Sequence, residues 1–329
     1  MSVMIPTVLG EVPSDRLGRV LTHEHIVSLY GSWWKLSPQP HPAWSHAALE
    51  HYTPLLSELK ATHGVDTIVE VTPGWESRGP EDLELWAELS RRSGVNVVVT
   101  TGDFMGSDLG LLGRERGEQT VAQLADQMIR EAEEGILGTK VRAGIIKVHV
   151  RRETPYGRRL MQAAAIAQME TGLCLTTCTG DHTFYVDVWE MAGVPPARIC
   201  LSHGDTRPLP EVIGLFKRGC SYNFTLWGIR SPKEIGWPWP EVPRYHSPAF
   251  LATLAAEGYV SHLFPSMDYS AMGGFTEDGR VCEDLYHVEG RTYSYMFRHG
   301  VPNMKRFGVT DAEVETMLRQ NPRRLLEPA

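Results

Sequence analysis

The chain has 329 residues and a formal net charge of -8, a length that suits one (β/α)8 barrel of typically about 250 residues plus insertions. The acidic balance argues against a surface for nucleic acid or for an anionic membrane. No apolar run approaches the roughly 20 residues that span a bilayer, and residues 1–6 lack the basic and apolar segments of a signal peptide. The five cysteines show no CxxC spacing, which indicates reduced thiols. We therefore expect a single domain over residues 1–329 in a cytoplasmic protein, without nucleic-acid or membrane partners.

Strand-like segments recur along the whole chain. Most of them are rich in Val, Ile, Leu and Thr without strict alternation, as expected for parallel strands that are buried on both faces. The eight predicted strands are Leu17–His25, Val65–Thr72, Val95–Gly102, Ala143–Val150, Cys174–Gly180, Ala197–Gly204, Cys220–Thr225 and His262–Asp268.

Helical patterns lie between these strands, and several begin with Pro and end near Gly, as helices often do. Strands alternating with helices predict a parallel α/β sheet, here closed as a TIM barrel. Two further patterns predict a C-terminal helical extension, with Thr310 as the N-cap of the second. The predicted helices are His46–His63, Pro80–Ser93, Glu118–Leu137, Pro155–Thr171, His182–Ala192, Pro208–Arg218 and Ser247–Gly258, followed by Glu289–His299 and Asp311–Gln320.

Five of the predicted strands end in residues that can bind a divalent metal. Residues i and i+2 of a strand face the same side, so His23 and His25 present two imidazoles together. The C-terminal strand ends of a barrel meet at one end, where its chemistry lies. Burying these groups together without a metal would cost several kcal/mol for each unpaired charge. The pattern therefore predicts a metallohydrolase whose ligands are His23, His25, Lys147, Cys178, His203 and Asp268.

Four segments of the chain are similar to those of a known family. They are Leu17-Gly-Arg-Val-Leu-Thr-His-Glu-His25, Gly64-Val-Asp-Thr-Ile-Val-Glu-Val-Thr-Pro73, Ala143-Gly-Ile-Ile-Lys147, and Gly308-Val-Thr-Asp311 together with Asn321-Pro-Arg-Arg324. On these segments the chain resembles the phosphotriesterase family of the amidohydrolase superfamily, over essentially its whole length. The resemblance implies a binuclear metal centre and a homodimer.

The resemblance also implies a role for each ligand. His23, His25 and Asp268 would hold the more buried ion, while His203 and the fifth-strand position would hold the more exposed one. Lys147 would bridge both ions as a carbamate, because an ammonium group cannot ligate and burial favours the neutral amine that reacts with CO2. A metal-bound hydroxide would attack the substrate and Asp268 would take its proton, which makes Asp268 and Lys147 the catalytic residues.

The chain departs from the family at the fifth strand, where the family has His and this chain has Cys178. Cys178 ligates as a thiolate, which suits zinc, or His182 or His149 takes its place, or the exposed position stays empty and one ion binds. A thiolate ligand makes the metal a weaker Lewis acid. With that ligand we expect zinc or cadmium in preference to manganese or cobalt, and carbonyl esters or amides in preference to phosphotriesters.

Substrate contacts are expected on the loops that follow the strands. Arginines there can clamp a carboxylate or phosphate, and aromatic rings can form an apolar wall. The leading interpretation is a hydrolase of small-molecule lactones, esters or amides, with incidental phosphotriesterase activity. The alternative is a family member that has lost hydrolysis and acts as a metal-dependent lyase or a small-molecule binding protein. The predicted substrate-binding residues are Phe104, Arg151, Trp227, Arg230 and Tyr269.

Overall fold

The structure, a computed structural model, describes residues 2–26, 42–72, 78–103, 118–150, 154–178, 180–229, 247–269 and 288–329. It begins with an antiparallel hairpin formed by β1 (Met4–Thr7) and β2 (Gly10–Pro13). The sequence analysis missed this hairpin, because its strands are short and its turn lacks the Asn-Gly or Asp-Gly pair that marks most tight hairpins.

Eight parallel strands form the central sheet, and strands that are consecutive in the chain are neighbours in the sheet. The first and last of them meet where the amide of Asp268 donates a 2.9 Å hydrogen bond to the carbonyl of His23. The sheet is therefore a near-closed barrel, and the predicted TIM barrel is confirmed, with strands shorter than predicted. The strands are β3 (Arg19–Glu24), β4 (Val65–Glu70), β5 (Asn96–Thr101), β6 (Ala143–Lys147), β7 (Leu175–Thr176), β8 (Ile199–Leu201), β9 (Ser221–Phe224) and β10 (Leu263–Pro265).

Helices connect the strands, as predicted, with ends shifted by a few residues. Thr154 shows why they begin where they do: its side chain accepts a hydrogen bond from the Gly157 amide at the start of a helix. Among the described residues, no helix combines the length and apolar character needed to cross a bilayer. The connecting helices are α1 (Pro42–His63), α2 (Pro80–Ser93), α3 (Val121–Glu133), α4 (Pro155–Thr171), α5 (His182–Met191), α6 (Leu209–Arg218) and α7 (Ser247–Ala256).

The C-terminal extension differs from its prediction at its start. The helix predicted over Glu289–His299 is wrong there, because Gly290 adopts a φ of 74° and the chain runs in turns until the π-helical turn Met296–Gly300. Thr310 caps the next helix as predicted, with its side chain accepting from the Glu313 amide. The extension comprises α8 (Val301–Arg306), α9 (Asp311–Glu315), the π-helical turn Thr316–Gln320 and α10 (Asn321–Leu326).

The apolar core has two parts. The larger one packs the strands against the surrounding helices. The smaller one collects buried side chains from the barrel strands, among them Val20, Val69, Val98 and Ile145, together with Ile5 of the hairpin and Leu325 and Leu326 of α10. The hairpin and α10 therefore close one end of the barrel and leave the C-terminal strand ends for the polar residues.

Asn321, from the Asn-Pro-Arg-Arg segment, ties this extension to the barrel. Its fully buried side chain donates to the carbonyls of Val260 at 2.8 Å and Leu263 at 2.9 Å.

Asn321→Ala should lower the free energy of unfolding by about 2–3 kcal/mol, because two buried carbonyls lose their donor. Urea denaturation measures the change. Asn303→Ala, at a half-buried position on α8, is the control, and equal losses in both variants would contradict the role of Asn321.

Candidate metal centre

The barrel places all six predicted ligands at the C-terminal ends of its strands. Ligand atoms of His23, His203 and Asp268 lie within 4.8 Å of one another and form a group that could hold a metal ion. The other three are in contact with members of this group. His23 lies on β3 and His25 just after it, Lys147 ends β6, and Cys178, His203 and Asp268 follow β7, β8 and β10.

The carboxylate of Asp268 lies at the centre of the group. Its Oδ1 atom is 3.2 Å from Nε2 of His25 and 3.8 Å from Nε2 of His23, while Oδ2 is 3.8 Å from Nδ1 of His203. Burial alone would raise the pKa of Asp268, but the three imidazoles outweigh it and hold that pKa well below its usual value. Asp268 is therefore a carboxylate, the form that binds cations.

The hydrogen bonds of His25 define which of its nitrogens is available to a metal. Its Nδ1 is 2.7 Å from Oγ1 of Thr72, and that hydroxyl already donates its proton to Glu70. With Nδ1 engaged by Thr72, Nε2 is the ring nitrogen that faces the Asp268 carboxylate and is available to a metal. Burial lowers the pKa of His25, so a metal ion satisfies this arrangement better than a proton.

His23 and His203 repeat this pattern. Nδ1 of His23 is bonded to the Ser202 hydroxyl at 2.9 Å, and Nδ1 of His203 to the Thr225 hydroxyl at 2.7 Å. Such outer contacts orient a metal-ligating imidazole. Burial, with Lys147 nearby, lowers the pKa of His23 well below 6.5, so this imidazole is neutral and able to ligate.

Lys147 is a buried amine beside this group. Its side chain is 1% exposed, and Nζ lies 3.4 Å from Nε2 of His23. Burial lowers the pKa of Lys147 although Cys178 and Asp268 act in the opposite direction. The neutral amine that a carbamate requires is thus favoured, and carbamylation itself stays a prediction.

Cys178 and His203 form a close pair. The Sγ–Nε2 distance is 3.5 Å, which matches two ligands of one tetrahedral zinc ion: Zn–S of about 2.3 Å and Zn–N of about 2.0–2.1 Å place them roughly 3.5 Å apart. Burial acts to raise the pKa of Cys178, but His203 and Lys147 outweigh it and lower it. In contrast, burial raises the pKa of Cys174 and of Cys220 to about 12 each. Cys178 therefore has the thiolate character that metal binding needs.

Two of the predicted ligands have a strained backbone. Among the described residues, the non-glycine residues with a left-handed φ are Leu137, His203 at 58° and Asp268 at 47°. This conformation costs roughly 1–2 kcal/mol for an L-residue and often occurs at functional sites. The strain turns both side chains toward the group after their strands have ended.

His182 and His149 are the alternatives to Cys178 as a ligand. Both ring nitrogens of His182 are engaged, Nδ1 with the Tyr222 hydroxyl and Nε2 with the Cys178 carbonyl, each at 2.9 Å. His182 would have to break these bonds to reach a metal, so in this structure it supports the backbone of Cys178. His149 is buried two residues beyond Lys147, and its role as a ligand stays an open prediction.

The predicted substrate residues fall into two groups. Phe104, Arg151 and Arg230 lie outside the described residues. Trp227 is 3% exposed and its indole donates to the Phe224 carbonyl, while Tyr269 is 6% exposed and its hydroxyl is bonded to His51. Both residues follow the C-terminal ends of their strands, but their rings are buried in the larger apolar core, so their contact with a substrate stays a prediction.

Sequence reasoning missed the groups that orient the ligands. They share one property: each is a polar residue at or just beyond the end of an otherwise apolar strand, which is the signal that could have identified them. They are Thr72, Ser202 and Thr225, which contact the imidazoles, and Glu70 and Asp205, which accept hydrogen bonds from the backbone amides of Ile26 and Thr225, respectively, beyond the ends of neighbouring strands.

Known proteins resemble this chain over its full length. A phosphotriesterase homology protein from Escherichia coli K12 is 26% identical over 94% of this chain and 97% of its own. An N-acetyltaurine hydrolase from Salmo salar is 26% identical over 99% of this chain and 98% of its own length. A solved structure from the engineering of organophosphate hydrolysis into a weak promiscuous lactonase superposes with a TM-score of 0.80, at 28% identity, covering 99% of this chain and 100% of that one.

The profile of the phosphotriesterase family matches residues 3–326, nearly the whole chain. The family is a group of metal-dependent hydrolases, in agreement with the carboxylate, imidazoles and buried amine gathered at the strand ends. The chain therefore belongs to the phosphotriesterase family and is a hydrolase.

Proposed function

We propose that this protein is a metal-dependent hydrolase of small carbonyl substrates, that is, lactones, esters or amides. The observation that carries the proposal is the group formed by His23, His203 and Asp268, whose ligand atoms lie within 4.8 Å of one another, with Nε2 of His25 a further 3.2 Å from the Asp268 carboxylate. Two divalent ions, most simply zinc, would be held by His23, His25, Lys147 as a carbamate, Cys178, His203 and Asp268.

When bound, such ions supply a water of lowered pKa and polarise the substrate oxygen. Asp268 accepts the proton of the attacking water. Its Oδ1 atom faces His23 and His25, so Oδ2 is the atom that takes the proton and returns it to the leaving group. The low pKa of Asp268 keeps this carboxylate unprotonated at neutral pH.

Cys178 is the reason for proposing carbonyl substrates. A thiolate adds negative charge beside His203, and a metal with such a ligand is a weaker Lewis acid than one held by imidazoles alone. We therefore expect such a centre to hydrolyse carbonyl esters or amides better than phosphotriesters. Relatives that are an N-acetyltaurine hydrolase and a lactonase by name support this substrate class.

Alkylation tests Cys178 as a ligand. In a metal-free Cys282→Ser background, iodoacetamide should modify Cys178 about ten-fold or more faster than Cys174, Cys200 or Cys220, because the pKa of Cys178 is lowered and the others are raised. Zinc should protect Cys178, because a ligated thiolate is no longer a nucleophile. Peptide mass spectrometry measures each rate.

His203→Ala is the matched variant for this experiment. It removes the imidazole 3.5 Å from Cys178 Sγ, so alkylation should slow and the protection by zinc should weaken. Equal alkylation of Cys178 with and without zinc in the parent protein would contradict its role as a ligand.

A substrate panel tests the function itself. Zinc-loaded protein should turn over at least one class in a panel of lactones, aryl esters and N-acyl amides faster than a phosphotriester. Asp268→Asn should reduce kcat/KM by about 10²–10⁴, because the amide cannot accept the proton. Steady-state assays with equal zinc content measure this.

The control is Asp187→Asn, an exposed carboxylate paired with Arg218 on the barrel surface, which should leave activity unchanged. A zinc-replete Asp268→Asn protein as active as this control would contradict the mechanism. A phosphotriester turned over faster than every carbonyl substrate would contradict the substrate class.

A further inference from the structure

The turn Ser266–Tyr269, which carries Asp268, is held on its amide side by a buried carboxylate. Glu24, the fully buried last residue of β3, accepts hydrogen bonds from the amides of Met267 at 2.6 Å and Tyr269 at 3.0 Å. It also accepts from the Ser266 hydroxyl at 2.7 Å. These donors flank Asp268 on both sides, so one carboxylate constrains the backbone where φ is left-handed.

A buried cation holds the carbonyl side of the same turn. Arg291 is 5% exposed, and its guanidinium donates to the carbonyl of Met267, the residue before Asp268. Its Nε donates to the Trp227 carbonyl at 2.6 Å, and a longer contact of 3.5 Å reaches the carbonyl of Asp268. Arg291 therefore links the ends of β9 and β10 through their backbone.

We propose that Arg291, acting opposite Glu24, is a positioning residue that fixes the Asp268 carboxylate in its metal-binding and proton-accepting orientation. The inference rests on the proposed function, because it concerns the orientation of Asp268 toward the metal. The planar guanidinium holds its N–H donors in a fixed fork and so fixes the relative position of two carbonyls, whereas the three donors of an ammonium rotate on a flexible stem. Without it, the turn is free to leave the left-handed conformation, which an L-residue adopts only under constraint.

The neighbouring residue Tyr293 extends this support to the histidine pair. Its buried hydroxyl donates to the carbonyl of His25 at 2.8 Å. Two side chains of one short segment thus contact the backbone of two predicted ligands. The segment lies just before the C-terminal extension, so the chain that leads into the extension also contacts the site.

Arg198 provides a matched control within the same chain. It is 6% exposed, and its guanidinium also donates to backbone carbonyls, those of Gly172 at 2.8 Å, Leu325 at 3.1 Å and Arg324 at 3.2 Å. It precedes β8 at the opposite end of the barrel from Asp268. Its loss removes the same kind of interaction without touching the site.

The experiment compares Arg291→Met with Arg198→Met in the full chain. Urea denaturation gives the free energy of unfolding, competition with a chelator gives the affinity for zinc, and steady-state assays give kcat and KM. Both variants should be destabilised. Arg291→Met alone should lose about 10–100-fold in zinc affinity and should lose kcat with little change in KM. Arg291→Lys should recover only part of the zinc affinity and part of kcat. If Arg291→Met does not fold, Arg291→Lys is compared with Arg198→Met instead.

The outcomes separate this inference from the proposed function. If the parent protein binds zinc and Arg291→Met binds it as tightly as Arg198→Met does, Arg291 is structural and the inference is overturned. If the parent protein binds no zinc, the proposed function fails and the inference fails with it. A selective loss of zinc affinity in Arg291→Met supports both.

Discussion

The closure of the barrel between its first and last strands is the constraint on which the site depends. At this seam the Asp268 amide donates to the His23 carbonyl at 2.9 Å, and the His25 amide donates to the Tyr269 carbonyl at 3.0 Å. These bonds join residues that are more than 240 positions apart in the chain, and they bring two imidazoles to one carboxylate. A barrel that failed to close would separate the histidine pair from Asp268, however well the rest of the apolar core packed.

The seam also concentrates buried charge. Burial raises the pKa values of Glu24 and Glu70 to about 8 each, although both accept hydrogen bonds from backbone amides. These two carboxyl groups, which hold the backbone around the site, therefore favour the protonated form, in contrast to Asp268, whose pKa is held well below its usual value. Cations at the imidazole face would stabilise all of these carboxylates in their charged form, because opposite charges nearby favour ionisation.

The sequence was sufficient to predict the barrel and to identify where its chemistry lies. Buried parallel strands leave long apolar runs, and a ligating residue such as Lys147 at the end of a run is visible without a structure. Arg291 could not be predicted, because its partners are backbone carbonyls distant in the chain and leave no periodic signal. The left-handed φ of Asp268 was hidden for the same reason, since it results from contacts with Glu24 across the seam. Cys178 stood out only as a departure from the family pattern.

Anomalous X-ray diffraction from crystals of the zinc-loaded protein tests the central claim most directly. The account predicts two peaks at the zinc edge, one among His23, His25 and Asp268 and the other against His203, with the sulfur of Cys178 about 2.3 Å from the second. A map from zinc-replete crystals without a peak between these side chains would contradict the account. In that case the seam would be a purely structural device, and the hydrolytic chemistry would have to be sought elsewhere on the barrel.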